Sequence, residues 1–497
     1  MFLAAGALVL SPSLSAQTWT TQATIHVNAA ATTNGALAPA GEQRKDLVTT
    51  LQPTFQLSGQ GELLRLNALV SADLVSYARD SQPDRVSPRV RFDLGATLAE
   101  RLLYIDSSID VHQTEVDPFA PRAEIGAGAT RQTTSTYRIS PHLNYALSPQ
   151  STLLARHEEV LSRSDAGATP NQHFSRTMLR AERRPTPYGG SLELSKDDAR
   201  FSGNGEGRWT IESVKAIGDV AINAEFVVGP IIGVDQTTFL FEEHRDHRYG
   251  AHLRWSPGER TQLLAVLEHR FFGTGWDLSL RHRTPFMSFS LRWNRTPVTS
   301  ATSVVAAPAA TDLSTFLDAI LTTRYPDAAA RAALVSRLVS TRGLRTNLPG
   351  AIEIFANYAQ LQNGATATWV LLGSRNTLTS TVYQQTLRQL TRSGDVTGGV
   401  QLAGADNRQT GATLGLNRRL TPQMAADLTS SWSRITGVAA RSGDRTAQRT
   451  HRLAVLRTLS ERTGLSLGAQ YDKLGTIVVG FGSYEATSAF IGLNHRF

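Results

Sequence analysis

The chain has 497 residues, of which 19% are charged and 41% aliphatic or aromatic, with a mean hydropathy of −0.20 and no cysteine. That composition excludes a disordered chain, a helical membrane protein and any architecture resting on disulfides or thiolate-bound metal. The net charge of +8 comes from 50 basic and 42 acidic residues, and only Lys45, Lys196, Lys215 and Lys473 are lysines; the near-uniform arginine points to an anionic partner or to a plain compositional bias.

Residues 1–10 are apolar, and the small residues Ser13, Ser15 and Ala16 follow before Gln17. This reads as a signal peptide over 1–16, with no basic residue ahead of it; a short buried helix is the alternative. No later uncharged apolar run reaches the roughly 18 residues of a transmembrane helix. From there the spacing is period two, the mark of a strand with two different faces. Leu64, Leu66, Ala68, Val70, Ala72 and Leu74 alternate with Arg65, Asn67, Ser71 and Asp73. Tyr249, Ala251, Leu253 and Trp255 alternate with Gly250, His252 and Arg254, and the same holds around Trp276 to Leu280, Met287 to Trp293 and Leu465 to Tyr471.

A soluble sandwich also alternates, so two further features separate it from a membrane barrel. The polar face is both small and charged, as in a wet lumen, and the aromatics Tyr249, Trp255, Trp276, Trp293 and Tyr471 lie near strand ends, where girdles form. The last strand, Ala489, Ile491, Leu493, His495 and Phe497, presents one apolar face and ends on an aromatic, like the signal read by barrel-assembly machinery; His495 departs from that pattern. Tight turns are predicted at 147–151, 255–259, 420–424 and 459–463, read as periplasmic, with longer loops outside at 30–46, 115–133 and 164–173.

These elements predict an all-β fold over 17–497: a large, closed antiparallel transmembrane β-barrel of about 24 strands with both ends periplasmic, because hydrocarbon offers no partner to a free strand edge. One insertion breaks the pattern at 297–350. A Pro/Ala/Thr-rich tether (297–310) leads to Leu313, Phe316, Leu317, Ile320 and Leu321, then Pro326, then Leu334, Val335, Leu338 and Val339. That is an amphipathic helical hairpin over 311–343, capped near Asp312 and ended at Gly343. Strand parity places it outside, and a single miscounted strand would reverse that.

Little in the sequence points to catalysis. The densest titratable cluster, Glu242-Glu243-His244-Arg245-Asp246-His247-Arg248, is read as a solvated loop, since two arginines oppose a cation and His244 and His247 three apart on a loop do not define a metal site. His112, His157, His252, His282 and His451 show no spacing that joins them to a nucleophile, so no catalytic residue, metal or cofactor is expected. Nucleic acid is discounted because the charge is dispersed. Arg65, Arg254, Arg281, Arg283 and Arg292 fall on the polar face and are expected to line a hydrated pore that favours anions, or else to pair with lumenal carboxylates.

The run Trp255-Ser256-Pro257-Gly258-Glu259-Arg260-Thr261, then Arg270-Phe271-Phe272-Gly273 and an alternating strand, and later Arg375-Asn376-Thr377-Leu378, resembles the outer-membrane β-barrel proteins associated with PEP-CTERM/exosortase systems. The resemblance extends over nearly the whole mature chain, hairpin included, and its motifs are turns and strand ends. It implies a bacterial outer-membrane component of exopolysaccharide or biofilm gene clusters. The expected partners are outer-membrane lipids and lipopolysaccharide, the barrel-assembly machinery and an anionic polysaccharide. A conduit for exopolysaccharide or surface material is the first expectation, an anchoring barrel with a plugged lumen the second, and an outer-membrane hydrolase a distant third. A hairpin in the lumen would favour gating, and one outside would favour docking.

Overall fold

The computed structural model describes residues 18–115, 117–122, 131–165, 171–202, 207–239, 242–299, 312–342, 344–346, 348, 350–352, 359–390 and 406–497. The predicted signal segment, most of the tether and Gly343 lie outside these. Twenty-two antiparallel strands, from β1 (Thr18–Thr32) to β22 (Tyr484–Arg496), form one sheet. Each pairs with its sequence neighbours, and β1 also pairs with β22 from Thr24 opposite Arg496 to Thr32 opposite Ser488, so the sheet closes. The backbone N–H of Phe497 donates to Ala23 O at 3.0 Å, extending the seam to the last residue.

The number is 22 rather than about 24. Alternation counts strands only through the spacing of the turns, and long connections such as 299–359 and 390–406 break that spacing. Because the count is still even, both ends fall at one rim, as expected. The four predicted turns all lie at that rim, between β6 (Arg131–Ser148) and β7 (Ser151–Ser164), β12 (Glu242–Trp255) and β13 (Thr261–Arg270), β18 (Asn407–Thr421) and β19 (Met424–Gly437), and β20 (Arg445–Thr458) and β21 (Thr463–Ile477). In the β12–β13 turn Gly258 takes φ +99°, which a side chain would strain.

Directly opposed residues share a face, so the register assigns every side chain. Arg254 opposes Leu264, which opposes Ser279, which opposes Arg292, while Leu253, Ala265, Leu278 and Trp293 form the neighbouring row on the other face. The second row belongs to an apolar exterior on which Ile232 is 62%, Leu467 61% and Leu453 54% exposed. In water such a surface would aggregate; in a bilayer it is the solvated one. Exposed Trp19, Tyr188, Trp255, Trp369 and Phe497 ring the short-turn rim, the position of an interfacial girdle.

One sequence expectation fails here. The Glu242 to Arg248 stretch is not a loop but the start of β12, paired residue for residue with β11 (Phe226–Phe239). His244 and His247 therefore point to opposite faces and cannot share a ligand, and the described residues contain no group of three or more candidate metal ligands.

The two faces are distinguishable by charge tolerance. Ile232→Arg on the exterior is expected to destabilise the barrel by about 2–4 kcal/mol, and Asn67→Arg on the interior by less than about 1 kcal/mol, measured by urea titration in lipid vesicles.

Candidate functional site: the lumen and its inserted hairpin

Two short helices interrupt the barrel between β15 (Met287–Val298) and β16 (Gln360–Leu372): α1 (Leu313–Leu321) and α2 (Ala328–Arg342). Asp312 caps α1, its carboxylate accepting from Ser314 N at 2.8 Å, as the sequence predicts. Arg331 of α2 pairs with Asp318 of α1 at 2.6 Å and also donates to Tyr325 O, which fixes the hairpin's bend.

The connection leaves from the long-loop end, as parity gives, yet the helices do not stay there. Leu313, Phe316, Leu317, Ile320 and Leu321 pack with Val335, Leu344 and Leu348 against Val370 and Leu372. Val370 opposes Ser288 on the inward face, near the short-turn end of β16. The apolar stripe thus finds its partner inside the barrel, and the outside placement is corrected to a lumenal one. Arg342 then reaches the rim: its guanidinium donates to Ser374 O at 3.1 Å, Gly373 O at 3.4 Å and Thr377 Oγ1 at 3.0 Å, and its own carbonyl accepts from Asn417 at 3.0 Å. Burial, and Arg419 nearby, lower this guanidinium's pKa from its ordinary value. No carboxylate pairs with it among the described residues.

The chain after α2 climbs back up the wall. Leu344 and Leu348 lie over Thr377, Thr379, Thr381, Thr413 and Thr429. Higher up, the backbone of Ile352 exchanges two hydrogen bonds with the inward side chain of Gln409, at 2.6 and 3.0 Å.

Two other features narrow the long-loop end, and sequence reasoning missed both. Residues 117–122 after β5 (Leu103–Glu115) fold across to the far wall, where Phe119 O accepts from Thr446, and Arg122 O accepts from Gln448 and from the Tyr484 hydroxyl. Arg441 anchors this segment through Asp117 at 3.0 Å and lies 4.3 Å from the Phe119 ring centroid. Around the corner, Val160, Phe174, Trp209 and Ile211 form an inward apolar cluster with Phe271 and Phe272 of the two-residue turn after β13. The apolar Phe271-Phe272 pair in a tight turn was the available signal, since solvent would not favour it there.

Elsewhere the inner wall is polar, and several of its basic residues are neutralised across strands. Arg176 pairs with the directly opposed Asp197 at 2.5 Å, Lys215 with Glu193 at 3.0 Å, Arg138 with Glu158 at 2.7 Å and Arg248 with Glu268 at 2.6 Å. Asp235, fully buried, accepts from Arg270 and Ser213, each at 2.7 Å.

The five arginines singled out in the sequence all face inward but fall in two places. Arg65 sits on β3 (Leu64–Tyr77) opposite Gly95, near Asp106, far round the ring from the others. Arg254 is on β12, and Arg281, Arg283 and Arg292 are on β14 (Gly273–Arg283) and β15, beside α1. Arg283 stands 3.9 Å from Glu259; the other four form no ion pair among the described residues. Between these strands and α1 lies a cavity of about 550 Å³, lined by Arg260, Arg281, Arg283, Arg292, Asp277 and Phe316 among others.

Of the serine–histidine contacts among the described residues, Ser430 to His451 at 3.0 Å lies on the outer face with no carboxylate joined to it. A closed 22-strand barrel with an apolar exterior and a polar, partly filled interior is an outer-membrane β-barrel protein, located in the bacterial outer membrane. No protein-family model and no curated protein matches the chain. Similar solved structures include the siderophore receptor PirA from Pseudomonas aeruginosa (10% identity, 96% of this chain and 80% of that chain, TM-score 0.44). The siderophore receptor PiuA from Acinetobacter baumannii (10%, 96% and 82%, 0.47) and the FrpB iron transporter from Neisseria meningitidis (8%, 96% and 81%, 0.49) are also similar. At these identities and TM-scores the likeness says nothing of cargo.

The paired and unpaired parts of the wall respond differently to loss of a carboxylate. Asp235→Ala leaves Arg270 without its close partner and is expected to destabilise by about 3–5 kcal/mol, whereas Asp277→Ala, which breaks no ion pair, changes stability by less than about 0.5 kcal/mol; urea unfolding in vesicles compares them.

Proposed function

We propose that this barrel is a gated outer-membrane conduit, serving export of exopolysaccharide or surface material as the resemblance to PEP-CTERM/exosortase-associated barrels implies. The observation that carries this reading is the hairpin held inside the lumen and tied by Arg342 to the short-turn rim. A docking element would present its apolar stripe outward; this one spends it on Val370 and Leu372. Its tie to the rim is one guanidinium on neutral oxygens, with Arg419 opposing it, a contact that can be released without stripping a carboxylate of its partner. The inward arginines Arg65, Arg254, Arg281, Arg283 and Arg292 would then border the water path, and Phe497 would carry the assembly signal at the seam.

A static anchoring barrel is the second reading, favoured by the apolar seat of α1 and by the second apolar cluster at the long-loop end. Planar-bilayer conductance separates the two. The intact protein is expected to show small or infrequent openings, and the protein lacking 311–343 larger, steadier ones; silence from both would sink the conduit and leave the anchor. Arg342→Ala removes charge-assisted hydrogen bonds worth roughly 1.5–3 kcal/mol in sum and is expected to raise open probability by about tenfold to a hundredfold, measured in single-channel records.

A further inference from the structure

We infer that the chamber between β13–β15 and α1 binds the acidic unit of a saccharide, a sugar bearing a carboxylate, sulfate or phosphate group, and that α1 forms one wall of the site. The purpose of such a site rests on the conduit reading, whereas its chemistry stands on the geometry alone.

The first reason is a contrast within one wall. Of the inward arginines on β6 to β13, Arg138, Arg156, Arg176, Arg248 and Arg270 have cross-strand carboxylates, Arg180 pairs with Glu182 on its own strand, and Arg254, near the short-turn end of β12, has no carboxylate partner among the described residues. On β14 and β15 that provision stops. Arg281 opposes Ser290 and Arg292 opposes Ser279, which makes the two arginines diagonal neighbours on one face, with Arg283 two residues further along. Diagonal neighbours on one face are within reach of each other's long side chains, so these like charges repel. With Arg260 the chamber holds four guanidinium groups against two carboxylates, Asp277 and Glu259, and the Glu259 side chain is 95% exposed at the rim. An anionic occupant would remove the repulsion that the protein's own carboxylates leave in place.

The second reason is size and lining. About 550 Å³ lies within the range of small-molecule sites, roughly 300–1,000 Å³, and is far larger than one oxyanion needs. Gln262, Ser279, Ser288 and Ser290 supply amide and hydroxyl groups between the arginines, the partners a polyhydroxylated ring requires. Guanidinium forks add the bidentate contact to a carboxylate or oxyanion.

The third is the far wall. Thr315, Phe316 and Ala319 of α1 close the chamber, and Arg283 donates to Thr323 at 3.2 Å, so an occupant touches barrel and hairpin together. Binding would therefore bias the hairpin's position by whatever difference in contact the two positions offer.

Titration calorimetry on the full chain in detergent tests this without any current flowing, so a silent bilayer would leave it standing and an absent heat would leave the conduit standing. Trigalacturonate is expected to bind, with sodium sulfate at least tenfold weaker and maltotriose undetectable. Arg281→Gln/Arg292→Gln should weaken trigalacturonate by about tenfold to a hundredfold, with Arg65→Gln unchanged and heat-modifiable mobility confirming that each variant is folded. Maltotriose binding as well as the acid, sulfate binding as tightly, or a double variant with unaltered affinity would each overturn the assignment. Removal of 311–343 should weaken binding several-fold, and an unchanged affinity there would take α1 out of the site.

Discussion

Every other feature of this protein depends on the pairing of β1 with β22. In hydrocarbon a backbone N–H or C=O without a partner costs several kcal/mol, and strands of 10 to 18 residues carry many of them. Closing the sheet satisfies both edges at once and so makes the apolar exterior tolerable. It also creates an interior that belongs neither to lipid nor to a packed core. That interior is where the helices, the inward loop and the charge pairs of Arg138, Arg176, Arg248 and Arg270 are found.

The closed architecture was legible in the sequence because its cause is periodic. Leu64 to Leu74 and Tyr249 to Trp255 alternate as they do because one face meets lipid, and the register in the structure is the one that alternation requires. The tight turns were legible because Pro and Gly act locally, at Pro257 and Gly258 for example. Strand number was less so, since no local signal says how many strands a long irregular stretch contains. The Glu242 to Arg248 run misled for a related reason: at the outer end of β12 both faces are wet, so the alternation that marks a strand vanishes although the hydrogen bonding does not. The hairpin was legible as a hairpin, through its own spacing, but its place depended on Val370 and Leu372, two inward apolar residues whose direction only the register supplies.

The site was legible in composition and not in arrangement. All five chosen arginines face inward, as period two demands, yet the property that separates Arg281 and Arg292 from Arg176 or Arg248 is whether a carboxylate stands across the strand gap. That depends on pairing between segments up to dozens of residues apart. The long-loop narrowing by Phe119 and by Phe271-Phe272 rests on contacts that cross the barrel and have no counterpart along the chain.

The threonine wall behind the returning chain bears on how such a barrel can change state. Where Leu344 and Leu348 lie, the barrel offers hydroxyl groups from Thr377, Thr379, Thr381, Thr413 and Thr429 instead of an oily seat. Outside the patch at Val370 and Leu372, a departing insert would uncover a wall that water wets at once, so the hydrophobic pull on it comes from that patch and from the insert's own apolar stripe. The covered wall is already lumen in its chemistry, so the insert rests on it as a removable lining.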